Sequence, residues 1–252
     1  MTAHARLGTG TGEPAQPRVG GMSAKSAVPG ASRQRRDAAK TQAELLAVAT
    51  EEFARVGFFG ARVDEIAART ATTKRMIYYY FTDKEGLFTA VLEKAYADIR
   101  AMEQALDLGH MAPIEGLRVL IRHTFDYHEA HPELARLVAA ENAFGASHLQ
   151  HSSRAAGVNL PIITLLDDLL ERGRAQGFVR RPASALDLHL LMTSVALFRT
   201  TNAATIAATF GVDMRAPAYK QRIVALLTDM VLSWLATPAD EPALEVGALA
   251  AD

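Results

Sequence analysis

Lys74, Arg75, Tyr78 and Tyr79 are spaced so that, on a helix turning about 100° per residue, they fall side by side on one stripe. Two cations interleaved with two phenols suit a phosphate-lined groove. Lys and Arg neutralise phosphates or take guanine edges, Tyr hydroxyls donate to phosphate, and Tyr rings touch thymine methyls. Ile77 and Phe81 fall together on another face, where they read as core. Taken alone, the segment also fits an ordinary amphipathic helix whose tyrosines are half buried at its boundary.

The elements around this stripe decide how it is held. Val63, Ile66 and Ala67 place apolar groups one turn apart in a short helix, with Asp64 and Glu65 in the first turn, where the helix dipole favours acids. That helix is expected to stop near Thr70. Thr72 or Thr73 can then cap a second helix, and Lys74 to Phe81 follow without Gly or Pro. Upstream, Leu45, Ala49 and Phe53, with Leu46 and Val56 alongside, predict a long helix over 34–56. Gly57 is expected to end it as a left-handed cap, Phe58 and Phe59 to plug it against the motif, and Gly60 to turn the chain. Downstream, Thr82-Asp83-Lys84-Glu85 matches a capping box with Thr82 as cap, opening a helix over 83–105.

The run ARVDEIAARTATTKRMIYYYF (Ala61 to Phe81), followed by TDKEGLF (Thr82 to Phe88) and preceded by AVATEEFARVGFFG, resembles the TetR family of transcriptional regulators. The resemblance extends from about Asp37 to about Ala97. It implies an all-α fold: an N-terminal three-helix DNA-binding domain with a helix-turn-helix over 34–82, and a C-terminal helical bundle over 83–236 for ligand binding and dimerisation. The 83–105 helix would link the two. It further implies a homodimeric repressor of a palindromic double-stranded DNA operator, released by a small-molecule effector. Matching positions make Arg62, Thr72, Thr73, Lys74, Arg75, Tyr78, Tyr79 and Lys84 the candidate DNA-binding residues, with Lys84 on a phosphate beside its helix N-terminus, where backbone N–H groups also attract anions. Two positions depart from the family pattern. Ala71 stands where a turn glycine is usual, and Ala61 where a threonine often caps the first motif helix and touches phosphate, a contact that Arg62 would have to supply.

Composition sets the outer bounds. The chain has 252 residues, 49% of them apolar, enough for one large or two small domains. Its net charge of −1 offers nucleic acid little by itself, but Arg62 to Lys84 carries five Lys/Arg against three Asp/Glu. With no cysteine, disulfides and thiolate metal sites are excluded. No apolar run approaches the roughly 18 residues that a bilayer span needs, and no signal-peptide core is visible, so a cytoplasmic protein without a membrane partner is expected.

Residues 1–33 are rich in Gly, Ala, Pro and Ser and read as a disordered arm, basic through Arg6, Arg18, Lys25 and Arg33 with Arg35 and Arg36 beyond, that would lie along DNA; the alternatives are a solvated tail, or an over-long start with Met22 as the true initiator. Further helices are expected at 114–130, 132–144, 158–176, 184–208 and 217–236, separated by Gly and Pro breaks. Residues 237–252, with four acids and no Lys or Arg, read as a disordered acidic tail.

Polar residues on otherwise apolar stripes are the candidates for an effector pocket: Phe125, His128, Glu141, Asn142, His189 and Phe198. Glu141 follows Leu134, Leu137 and Val138 on one side of its helix, and a buried carboxylate is costly unless paired. Each candidate also fits a satisfied core or rim residue. His128-Glu129-Ala130-His131 lacks the four-residue step of zinc hydrolase helices, so neither metal nor cofactor is expected. No Gly-rich phosphate loop, nucleophile elbow or paired carboxylates appear, which argues against an enzyme. Two rival readings stay open: a DNA-binding regulator without small-molecule control, and an all-α metal-dependent enzyme.

Overall fold

The computed structural model describes residues 29–152 and 154–238. The chain divides into two compact units, Met1–Ala38 and Ala39–Asp252. The described part of the first is helical from Pro29, earlier than the start expected at Gln34. Arg6, Arg18 and Lys25 of the expected arm, and the tail from position 239, lie outside the described residues.

Among the described residues the chain is helical without strands. The order is α1 (Pro29–Gly60), α2 (Val63–Ala68), α3 (Lys74–Phe81), α4 (Lys84–Gln104), a 3-10 turn (Leu108–His110), α5 (Pro113–Ala130) and α6 (Pro132–Asn142). Then come α7 (Ser147–Gln150), α8 (Ala155–Val158), α9 (Leu160–Ala175), α10 (Ala185–Thr201), α11 (Ala203–Phe210) and α12 (Pro217–Ala236). Proline stands in the first turn of α5, α6, α9 and α12, where its missing N–H costs nothing and its φ is already helical.

Two expected helices are broken. The 184–208 stretch divides at Asn202: the Thr200 and Thr201 hydroxyls donate back to the carbonyls of Ala196 and Leu197, and the Asn202 amide donates to the Thr201 hydroxyl. Such side-chain bonds compete with the helical ladder. The 158–176 stretch divides at Asn159, which ends α8 and precedes α9, whose first turn carries Pro161.

Two large apolar clusters hold the second unit. One joins Leu45, Ala49 and Phe53 of α1, Val63 and Ile66 of α2, Ile77 and Phe81 of α3, and Leu87, Phe88 and Val91 of α4. Leu137 of α6 completes it. The other is built from Leu117, Leu120, Ile121 and Phe125 of α5, Leu166, Leu169 and Leu170 of α9, Leu188 and Met192 of α10, and Val231 and Leu235 of α12. Burying each such side chain stabilises the fold by about 1.5–3 kcal/mol.

The end of α1 differs from a simple left-handed cap. Gly57 has φ 72° and ψ 177°, a combination open essentially to glycine alone, so the chain is redirected before a last turn ending at Gly60. Of the two phenylalanines expected as plugs, Phe58 is buried, whereas Phe59 is 74% exposed and meets Phe144 edge-on with centroids 4.7 Å apart. The redirected backbone turns successive side chains to opposite sides, and only one reaches the core.

Candidate nucleic-acid interface

α2 and α3 form the helix-turn-helix. Asp64 and Glu65 occupy the first turn of α2, and buried Val63 and Ile66 seat it on α1. Its far end is tied by Arg69, which donates to Glu51 and lies 3.5 Å from Glu52. Glu52 is buried and also takes Arg55 at 2.7 Å; that bond holds its carboxyl below the usual carboxylate range.

The turn into α3 closes on ordinary backbone. Among the described non-glycine residues, positive φ occurs at Thr82, Asp107 and Ala146, so Ala71 closes the turn without entering left-handed space. Of the two possible caps, Thr73 is the one used, its hydroxyl accepting the Met76 N–H at 3.3 Å; Thr72 is half-buried in the turn. Ala61 is buried at 2% exposure and Arg62 beside it is exposed, so of these two positions Arg62 is the one that presents a side chain to an approaching molecule.

α3 turns Ile77 and Phe81 inward and its basic, phenolic stripe outward. Arg75 is exposed, Tyr78 is 40% exposed and Tyr79 78%, with the Tyr79 ring edge-on to Tyr80 at 5.4 Å. Lys74 Nζ lies 6.0 Å from the centre of the Tyr78 ring and 3.0 Å from Asp64, a bond that raises its pKa.

The exit from α3 is strained. Thr82 has φ 70° and ψ −56°, and the Asp83 N–H donates to the Phe81 carbonyl at 2.8 Å, which makes a γ-turn of the rare positive-φ kind. The cap of α4 therefore passes from Thr82, as the sequence pattern had it, to Asp83, whose carboxylate accepts the Gly86 N–H at 2.7 Å. Gly86 has to be glycine: a Cβ there would stand 2.1 Å from the Phe81 carbonyl oxygen. Lys84 is half-buried at this end of α4, its Nζ 3.5 Å from the Phe59 carbonyl and 4.8 Å above the Phe58 ring.

The pocket candidates do not form one group. Glu141 is 1% exposed, and its oxygens accept the backbone N–H groups of His148 and Leu149 and the ring Nδ1–H of His148. It is a clamp on α7. Asn142 is exposed and donates to the Val138 carbonyl. Phe198 is 51% exposed on the outside of α10. Phe125 belongs to the apolar core of the bundle. His128, 2% exposed, and His189, half-buried, both lie within the field of Arg100, and burial pushes each imidazole down to about 4. Arg100 and Glu103 of α4 were not singled out from sequence; the signal was there, in charged residues one turn apart on the helix side that carries buried Leu92 and Ile99.

Among the described residues no group of three or more His, Cys, Asp or Glu is arranged to hold a metal, and no helix is long and apolar enough to cross a membrane.

Comparison with known proteins agrees with this geometry. Residues 45–91 match the family model described as bacterial regulatory proteins, tetR family, and residues 113–231 match the model for the tetracyclin repressor-like C-terminal domain. The chain is 30% identical over 196 residues to the HTH-type transcriptional repressor NicS of Pseudomonas putida, covering 78% of this chain and 92% of that one. It is 34% identical over 164 residues to the HTH-type transcriptional repressor SCO4008 of Streptomyces coelicolor, covering 64% and 79%. A bacterial regulatory protein in the tetR family from Rhodococcus RHA1 shares the fold with a TM-score of 0.58 at 20% identity, covering 80% of this chain and 99% of that one.

Proposed function

The chain belongs to the TetR family of bacterial transcriptional regulators, and from that premise we propose that it is a homodimeric repressor whose α3 enters the major groove of a palindromic operator and whose C-terminal bundle takes a releasing small molecule. The observation that carries this reading is the outward stripe of α3. Ile77 and Phe81 fix the helix in the core, which leaves Arg75, Tyr78 and Tyr79 facing solvent together with Lys74. Thr73, Arg62 and Lys84 stand at the helix starts on either side, where backbone N–H groups and cations meet phosphate.

The second copy would pair through α10 and α12. Leu190, Leu191 and Phe198 of α10 and Leu226, Met230 and Trp234 of α12 are large apolar side chains between 42% and 58% exposed. A helix with apolar residues beyond its core stripe needs a further burial partner. A twofold pair would set the two α3 helices about one turn of DNA (~34 Å) or a little more apart. The effector then acts by linkage: it lowers operator affinity by the ratio of its affinities for the released and the DNA-bound arrangement.

The test is binding of the full chain to duplexes taken from the DNA flanking its own gene. The double variant Lys74→Ala/Arg75→Ala should lower specific affinity by about 100-fold while leaving helicity intact. Undiminished binding would overturn the assignment of α3.

A further inference from the structure

The core of the C-terminal bundle contains charge that the fold does not satisfy. Arg100 of α4 is 6% exposed, Glu103 one turn on is 3% exposed and His128 of α5 is 2% exposed. Arg100 Nη1 lies 3.0 Å from a Glu103 oxygen, yet the angles do not make a hydrogen bond. Arg100 Nε and Nη1, that Glu103 oxygen and both ring nitrogens of His128 have no hydrogen-bond partner among the described residues. Native interiors pair nearly all such groups, and a concentration of unpaired ones calls for a partner from outside the chain or a functional reason.

We propose that this cluster is the effector site and that the effector is a small organic carboxylate anchored by Arg100, with His128 and His189 as neutral hydrogen-bonding partners. The proposal rests on the reading of the chain as an effector-controlled DNA binder and names the ligand class for it.

Charge decides for an anion. A guanidinium stays protonated at neutral pH even when burial lowers its pKa, as it does for Arg100. Burial pushes the Glu103 carboxyl up to about 7, so this neighbour balances the cation only in part. His128 and His189, held down at about 4 by burial and by the Arg100 charge, are neutral and each offers one N–H and one lone pair. Tyr127, whose phenol burial pushes up to about 12, adds no negative charge. Glu103 balances the cation at 3.0 Å only in part, and Arg100 Nε and Nη1 lack hydrogen-bond acceptors; a carboxylate matches a guanidinium in both shape and charge.

The apolar neighbours decide for an organic body. Tyr127 packs with Ile99 and Leu134 in one buried apolar group, and Phe125 on α5 belongs to the bundle core. Apolar side chains near one charged anchor and two neutral polar groups are the composition of a small-molecule site.

The experiment uses the full chain with benzoate and octanoate as probes, benzamide and octanamide as their uncharged counterparts, and inorganic phosphate as an anion without an apolar body. Melting temperature and calorimetric titration are read at pH 7. At least one carboxylate should raise the melting temperature saturably, while its amide and phosphate should not. Arg100→Met should weaken that carboxylate at least tenfold, read against its own melting temperature without probe, since loss of the ion pair to Glu103 also changes the stability of the unliganded chain. Glu103→Gln should keep or strengthen carboxylate binding, and it serves as the deciding variant if Arg100→Met fails to fold. The proposal is overturned if neither carboxylate binds, if amide or phosphate binds as well, if Arg100→Met keeps the affinity, or if Glu103→Gln abolishes it. Binding of the same preparations to operator DNA is measured in parallel. Absence of DNA binding would sink the regulator reading alone, and intact DNA binding without a carboxylate response would sink the Arg100 assignment alone.

Discussion

Asp64 on α2 holds the ammonium of Lys74 on α3 at 3.0 Å, so the first cation of the helix proposed to enter the groove is already engaged by a carboxylate. Both groups are largely exposed, and salt weakens such a pair. A phosphate has to compete with Asp64 for Lys74. Asp64→Asn removes the competitor and one negative charge from the DNA-facing surface. Affinity for DNA of arbitrary sequence should rise about threefold, with a salt dependence steeper by about one counterion. Fluorescence anisotropy across a salt series measures both, and an unchanged slope would show that Lys74 stays with Asp64 on DNA.

Glu141 joins the bundle to the DNA-binding end through His148. The imidazole that donates to Glu141 at 2.7 Å also lies 4.8 Å from the Phe58 ring and 4.9 Å from the Phe88 ring, both in the cluster that seats α3. Glu141→Ala would strand three donors in a buried place and should cost roughly 3 kcal/mol. Glu141→Gln keeps an acceptor for the two backbone N–H groups and should cost less. Thermal melting separates the two variants. If Glu141 couples the bundle to α3, operator affinity should fall with stability in the same order, and Glu141→Ala with undiminished operator affinity would sever the connection.

Stability should respond to pH through the buried cluster. The folded state raises Glu103 from 4.5 to about 7, so the contribution of its proton is complete below 4.5 and lost as pH rises through about 7. The folded state lowers His128 and His189 from 6.5 to about 4, so their contribution is complete above 6.5 and lost as pH falls through about 4. Between about 4.5 and 6.5 two histidines oppose one carboxyl, so the melting temperature should peak near pH 6.5 and fall on both sides. Glu103→Gln should flatten the fall between 6.5 and 7.5, and His128→Phe should shallow the acid side. A melting profile in which Glu103→Gln leaves the alkaline side unchanged would contradict this assignment.

The helix-turn-helix was legible because local rules and tertiary packing agree there. Ile77 and Phe81 could face only the core, and that fixed Lys74, Arg75, Tyr78 and Tyr79 outward. Thr82 misled because a capping pattern does not reveal the γ-turn there, which brings the Phe81 carbonyl to the Asp83 N–H and into the space that a Cβ on Gly86 would need. In the bundle, periodicity found His128 and Glu141 as polar residues on buried stripes, but which partners each meets is set by helices distant in sequence. Glu141 is satisfied by α7, a helix of four residues with no periodicity to announce it. Arg100 and Glu103 stayed unseen because long charged side chains on a linking helix ordinarily reach solvent.

The central claim, that a pair of α3 helices reads one duplex, is tested most directly by hydroxyl-radical footprinting of the full chain on its flanking DNA. Two protected tracts should appear, centred about one helical turn (~34 Å) or a little more apart, and both should vanish with Arg75→Ala/Tyr79→Ala. A single tract, or protection that survives loss of those two side chains, would contradict the account.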